Sequence, residues 1–200
     1  IDSSRFIADD KKRKNVRQEL GLDNKLVVGH VGRLHPQKNH EFLLKVFSEI
    51  KKKRQDAVLI LVGSGPLEHD IKEKVKALGL EKSVIFLGNR KDMDYIYQGM
   101  DVCIFPSLFE GLGIVAIEAQ AAGLPVVCSD GFPKEACVTP LFKKMNLSDA
   151  PSEWAKVALD MVNNEYCHKN MKDYIVKSGF DMDETALKMQ RYYLKKSGVH

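Results

Sequence analysis

Short runs of β-branched and other apolar residues alternate along the chain with longer stretches whose apolar positions recur at helical spacing. Leu26 to Val31, Val58 to Val62, Val84 to Leu87, Val102 to Phe105 and Pro125 to Cys128 read as strands. They are apolar almost throughout rather than alternating, as expected for strands covered on both faces in a parallel sheet. Helical patterns are predicted at 39–54, 66–78, 92–99 and 112–122, and again in a carboxyl-terminal tail at 151–164, 167–178 and 182–196. The βαβα order predicts a doubly wound, Rossmann-like α/β fold, with ligands in the crevice outside the carboxyl ends of the strands. No repeat, low-complexity segment or interior linker interrupts it, so residues 1–200 are expected to form one domain, with 151–200 as its helical tail.

Composition narrows the function classes. Hydrophobic residues at 44% and charged residues at 29% are ordinary for a globular chain of 200 residues, and disorder is excluded. The longest apolar runs, about six residues, are too short for a membrane span. A net charge of +4 is too small to imply a nucleic-acid partner. The four cysteines form no CxxC pair, which suggests reduced thiols and a cytoplasmic setting; Cys103 and Cys128 fall in apolar stretches and read as packing residues. The first residues, Ile1-Asp2-Ser3-Ser4-Arg5-Phe6, carry neither an initiator Met nor a signal peptide, so the chain is expected to be part of something longer. The run Lys11-Lys12-Arg13-Lys14 reads as a solubilising patch, with contact to an anionic membrane surface as the alternative, whereas Lys51-Lys52-Lys53-Arg54 suits the negative end of a helix.

The candidate chemistry gathers at predicted strand ends. Arg33 and Lys38 follow the first strand, after Gly32, and Lys38 stands at or just before a helix N-terminus. A cation there opposes the helix dipole, so the pair reads either as a diphosphate site or as two exposed loop charges. Gly63 and Gly65 lie between the second strand and its helix, where glycine lets backbone approach a ligand closely; a plain strand-to-helix turn serves equally well. The GxGxxG fingerprint is broken at Glu68, and no GxxxxGK[ST] loop exists. In Phe105-Pro106-Ser107-Leu108-Phe109-Glu110-Gly111-Leu112-Gly113-Ile114-Val115-Ala116-Ile117-Glu118, two glutamates eight apart flank the start of an apolar helix. A sugar hydroxyl at Glu110 and a ribose at Glu118 would satisfy them, with Gly111 and Gly113 leaving helix N–H groups open; a helix cap and a buried ion pair are the structural alternatives.

Other patterns imply less. Asp92-Met93-Asp94 and Asp181-Met182-Asp183 resemble DxD metal motifs but precede helices and read as caps. His35 and His40 are not spaced as ligands, no HExxH is present, and no metal is expected. Ser64 and Ser107 lack the G-x-S-x-G elbow of hydrolases. Trp154, Tyr192 and Tyr193, in the tail, are expected to pack or to meet another domain.

The VGRLHPQKN segment, the GSGP turn, Val84-Ile85-Phe86-Leu87-Gly88 and FPSLFEGLGIVAIEAQAAGLPVV, in this order, resemble the carboxyl-terminal half of a family 4 (group 1) retaining glycosyltransferase of GT-B fold. The resemblance implies a nucleotide-diphosphate sugar as donor substrate, with UDP favoured, and no separate cofactor. It assigns Arg33 and Lys38 to the diphosphate and leaving group, and Glu110 with the backbone of Gly111, Leu112, Gly113 and Ile114 to the sugar and phosphate. Glu118 falls to the ribose, and the segment from Gly88 to Arg90 to the base. It implies residues 1–22 as an interdomain linker and first helix, a separate amino-terminal domain carrying the acceptor site, and little or no transfer by this half alone. Transfer of a hexose-type sugar to a glycan or lipid-linked acceptor, in polysaccharide or glycolipid synthesis and with peripheral contact at the inner face of the cell membrane, is the expectation. A sugar-nucleotide epimerase of the same architecture, or a non-enzymatic nucleotide-sugar-binding module, is the alternative. Gly131-Phe132-Pro133-Lys134-Glu135-Ala136 departs from the Gly-rich turn leading to Pro-Glu that members carry, which affects the pocket near the sugar.

Overall fold

The computed structural model describes residues 1–163 and 167–197. Six parallel strands form one sheet in the order β3-β2-β1-β4-β5-β6, with β1 Val27–Val31, β2 Val58–Val62, β3 Val84–Gly88, β4 Val102–Phe105, β5 Val126–Ser129 and β6 Phe142–Met145. The chain starts at the sheet centre, winds outward through β2 and β3, then returns to the other side of β1. This reversal places the topological switch between β1 and β4, where a ligand crevice is expected at the carboxyl edge. Five of the strands match the sequence reading to within one residue at each end; β6 was not anticipated. It pairs with β5 from Val126↔Phe142 to Ser129↔Met145 at the sheet edge, and two lysines in its four residues mask the apolar signal.

Each strand sends alternate side chains to opposite faces, so the apolar runs build two cores. On one face Val27, Val31, Ile60, Cys103, Phe105 and Val126 meet α1 Asp10–Glu19, the short α4 Met93–Ile96, α5 Ile114–Ala121 and α7 Lys172–Lys177. On the other, Val28, Leu59, Leu61, Ile104 and Val127 meet α2 His40–Lys53, α3 Glu68–Ala77 and α6 Pro151–Val162. Trp154 of α6 is wholly buried, set edge-on to Phe42 and donating its indole N–H to the Asn146 carbonyl. By contrast Tyr192 and Tyr193 lie exposed on α8 Met182–Ser197. The tail helix predicted over 167–178 shortens to α7, and residue 164, the predicted end of the preceding helix, lies outside the described residues. The stretch read as a helix at 92–99 is α4 followed by a 3-10 turn, Tyr97–Gly99. Among the described residues no helix is long and apolar enough to cross a membrane.

The basic run near the amino terminus is partly internal rather than solvated. Arg13 and Arg17 both reach Asp101, at the foot of β4, and Asp101 Oδ2 also accepts the Val27 backbone N–H at 2.7 Å. Lys12 pairs with Asp94, which also takes Arg5. Sequence spacing could not show this, because the acids lie more than eighty residues away. Asp101 therefore locks α1 onto the amino edge of the sheet, with its side chain 10% exposed. Asp101→Asn leaves two guanidinium groups without their counter-charge and is expected to cost about 3 kcal/mol of folding free energy in urea unfolding.

Two histidines are buried beneath the carboxyl end of β1. His30 Nδ1 lies 2.8 Å from the Ile104 carbonyl, and its ring meets His40 edge-on with centroids 4.8 Å apart. A carbonyl only accepts, so Nδ1 carries a proton. Burial lowers His30 to about 4, opposed by that hydrogen bond and aided by the Lys38 charge. Burial, then His30 and Lys38, lowers His40 to about 3. In the unfolded chain both titrate near 6.5. Between that value and the folded ones the unfolded state binds more protons, so stability is complete above it and falls as the pH drops. The expected slope is about 1.4 kcal/mol per pH unit for each histidine, measurable by urea unfolding at several pH values, and His40→Phe reduces it by about one proton.

Candidate functional site

The turns that follow β1 and β2 are fastened to each other through backbone. Gly32 N–H donates to the Val62 carbonyl at 2.9 Å and Leu34 N–H to the Ser64 carbonyl at 3.0 Å. A Cβ on Gly63, whose φ is +131°, would stand 2.1 Å from the Gly32 oxygen, and one on Gly65 would stand 2.4 Å from the Leu34 oxygen. The close approach these glycines permit is therefore to the neighbouring turn. Gly63 also lines a cleft of about 380 Å³ with Gly32, Arg33, Ser64, Asn89, Arg90 and Met93, whereas Gly65 does not line it. Gly88 ends β3 with φ +61° and turns the chain toward Asn89 and Arg90.

Arg33 projects into this cleft, exposed, and forms no ion pair among the described residues. Arg90 is held by both oxygens of Asp92, at 2.9 and 2.6 Å. Asp92 is thus spent on a guanidinium and places no side-chain cap on α4, contrary to the sequence reading; the arginine two residues earlier outcompetes the backbone N–H groups. Asp181 does cap as expected, accepting the Glu184 N–H at 3.0 Å, and it binds the Ser3 hydroxyl as well.

Lys38 closes a 3-10 turn, Pro36–Lys38, that Asn39 joins to α2 in a left-handed conformation at φ 52°. Its stem lies across Gly32, where a Cβ would meet Lys38 Cε at 3.1 Å. Its Nζ reaches Glu110 Oε1 at 2.5 Å, with side-chain exposures of 15% and 7%. Glu110 is therefore an ion-pair partner rather than a helix cap. Two further bonds join the segments that carry the pair: Leu108 N–H donates to the Gln37 carbonyl and the Gln37 side-chain Nε2 to the Phe109 carbonyl, both at 2.8 Å.

The start of α5 is built against the segment that departs from the expected pattern. Glu110 N–H donates to the Gly131 carbonyl at 3.0 Å, and a Cβ on Gly113, at φ +72°, would lie 2.4 Å from the Phe132 ring. Phe132 is buried, and its carbonyl accepts the Lys144 ammonium from β6. Gln37 and Lys144 were not singled out from sequence, whereas Gly131 and Phe132 fall in the segment whose break in the family pattern marks the pocket near the sugar. The helix predicted over 112–122 is α5 alone, and Leu112 and Gly113 belong to the preceding loop, with Gly111 exposed. Ile114, the first residue of α5, is 52% exposed, whereas Ala116 and Ile117 of the same turn are buried in the core. Glu118 is half-buried on α5 and has no cation within ion-pair distance among the described residues; its Oε2 takes the Tyr97 hydroxyl at 3.2 Å. Burial pushes its carboxyl group up, and the Tyr97 hydrogen bond opposes the shift. The ion pair considered for Glu118 is thus replaced by a hydroxyl.

Comparison with known proteins places this arrangement in a family. The model of the family described as glycosyl transferases group 1 matches residues 12–179. A putative glycosyltransferase of Bacillus subtilis, EpsF, is 33% identical over 189 residues, covering 93% of this chain and 49% of that protein. The UDP-Gal:alpha-D-GlcNAc-diphosphoundecaprenol alpha-1,3-galactosyltransferase of Escherichia coli is 31% identical, covering 97% of this chain and 52% of that protein. The chain spans about half the length of these relatives. Anabaena HepE, solved with UDP and glucose, superposes with a TM-score of 0.80 at 22% identity, over 98% of this chain and 55% of that one. The C-terminal domain of a group 1 glycosyl transferase from Francisella tularensis, LpcC, has a TM-score of 0.74 at 20% identity and covers 88% of this chain and 97% of its own. The sheet order and helices are those of the Rossmann-like half of a GT-B fold, and the chain belongs to the group 1 glycosyl transferase family.

Proposed function

We propose that this chain is the donor-binding half of a retaining glycosyltransferase that takes a nucleotide-diphosphate sugar, with UDP favoured as the nucleotide. The observation that carries the reading is the placing of Arg33, exposed on the cleft and unpaired among the described residues, beside a nearly buried Lys38–Glu110 pair at the carboxyl edge of the sheet. A diphosphate entering the cleft meets the Arg33 guanidinium directly. Lys38, an arm's length away across Gly32, exchanges its carboxylate partner for phosphate oxygens and frees Glu110 for a hydroxyl of the donor sugar. The open N–H groups ahead of α5, from Gly111 to Ile114, add partial positive charge where the sugar and phosphate sit. Glu118 accepts the ribose hydroxyls, and the base lies along Gly88, Asn89 and Arg90.

As the glycosidic bond to the diphosphate breaks, negative charge grows on the leaving oxygens. Arg33 and Lys38 stabilise that charge, the part a metal ion plays in other designs. UDP complexes of HepE and the UDP-Gal named for the Escherichia coli relative support UDP as the nucleotide, and that relative's diphosphoundecaprenol supports a lipid-linked acceptor. Since the chain spans about half of its relatives' length, the acceptor is held by a separate domain, and this half alone binds donor but transfers little sugar.

Titration calorimetry of UDP, GDP and ADP tests the assignment. Binding of at least one nucleotide is expected, weakened by about ten- to a hundredfold in Arg33→Ala and in Lys38→Ala, the range for a hydrogen bond to a charged group. Equally negligible heats from all three nucleotides overturn it.

A further inference from the structure

Nothing in the donor-site reading explains what holds Glu118. Tyr97 supplies an answer from outside the motif. Its hydroxyl lies 3.2 Å from Glu118 Oε2 and 3.1 Å from the Val115 carbonyl one turn earlier on α5. The group has a single proton, so sharing it between these acceptors fixes the oxygen between them. The ring is wholly buried and tilted against Phe6 with centroids 6.1 Å apart. Such a ring cannot swing without opening the core, and its hydroxyl is a fixed point against which a flexible glutamate can be set. Oε2 is engaged in this way, whereas Oε1 takes no hydrogen bond among the described residues.

We propose that Tyr97 is a positioning residue for nucleotide binding: its hydroxyl pins Glu118 Oε2 and leaves Oε1 to accept a ribose hydroxyl. The proposal rests on the assignment of ribose to Glu118. Tyr97 touches no ligand and acts through the carboxylate alone. Its hydrogen bond also counters the upward push of burial on that carboxyl group, with help from Arg5 of the amino-terminal segment. Removing the hydroxyl raises the carboxyl group further, and a protonated Glu118 is a poorer acceptor. Ribose-dependent binding in Tyr97→Phe therefore fails at a higher pH than in the parent chain.

The test uses whichever of UDP, GDP and ADP binds tightest, together with its 2′,3′-dideoxy counterpart, in titration calorimetry across the acid range. Tyr97→Phe is expected to weaken the ribonucleotide about tenfold, the scale of one hydrogen bond to a charged group, while leaving the dideoxynucleotide unchanged and moving the acid limb to higher pH. In a Glu118→Ala background the same substitution costs no further affinity, because the coupling runs through that carboxylate. Melting curves establish that Tyr97→Phe, which keeps the ring, stays folded. An equal loss for both nucleotides, or an acid limb that does not move, assigns Tyr97 to packing alone and overturns the proposal. Should Glu118→Ala fail to distinguish the ribonucleotide from the dideoxynucleotide, the ribose assignment itself falls, and this proposal with it.

Discussion

Backbone contact between the turns after β1 and β2 is the constraint on which the site depends. An all-parallel sheet ends its central strands at one edge, so the loops leaving β1, β2 and β4 compete for the same space. Here the competition is settled by pairing that continues past the strands, through Gly32 to Val62 and Leu34 to Ser64. Arg33 stands between two residues whose amides are already committed, which leaves its side chain the cleft. Glycine at 63 and 65 is what makes the approach possible, since any Cβ there would collide with a backbone carbonyl rather than a yielding side chain. These glycines act on the cleft at second hand, by deciding where a guanidinium is presented.

The second determinant is electrostatic. Lys38 and Glu110 are largely withdrawn from water, and a pair in that setting is weak as a source of stability because desolvation offsets much of its attraction. Its value is that neither charge is left alone before a ligand arrives. On the proposed reading a bare nucleotide diphosphate attracts Lys38 but strands Glu110, whereas a nucleotide sugar brings hydroxyl donors that satisfy the acid released. The pair thereby links recognition of the sugar to recognition of the diphosphate. The neutral histidines beneath it fit the same logic, since a charged ring so close to the Lys38 ammonium would add repulsion to an already desolvated region.

Much of this was legible in the sequence, for physical reasons that can be named. Unbroken apolar runs announced strands covered on both faces, and Gly32, Arg33 and Lys38 stood out because they gather at a predicted strand end, although spacing alone left a diphosphate site and exposed loop charges equally open. Glu110 and Glu118 stood out as acids at the border of an apolar helix. What escaped depended on partners far along the chain. The capping role read for Asp92 was lost to Arg90, and half of the basic run at 11–14 is bound to Asp94 and Asp101 instead of facing solvent. An edge strand of four residues with two lysines has no periodic signal, yet through Lys144 and Phe132 it supports the loop that carries Gly113.

The amino-terminal segment shows how such distant partners reach the site. Residues before α1 read as a linker, but Ser3 and Phe6 are buried and the backbone is tied to the turn after α4: Gln98 donates to the Phe6 and Ile7 carbonyls and accepts the Asp9 N–H. Tyr97, the neighbour of Gln98, packs at a tilt against Phe6 and meets Glu118 through its hydroxyl. A pull on this segment is therefore resisted by the same residues that set the carboxylate, because the core around Tyr97 is too closely packed to absorb the displacement locally. The segment read as a linker is thus packed against the same tyrosine that meets Glu118.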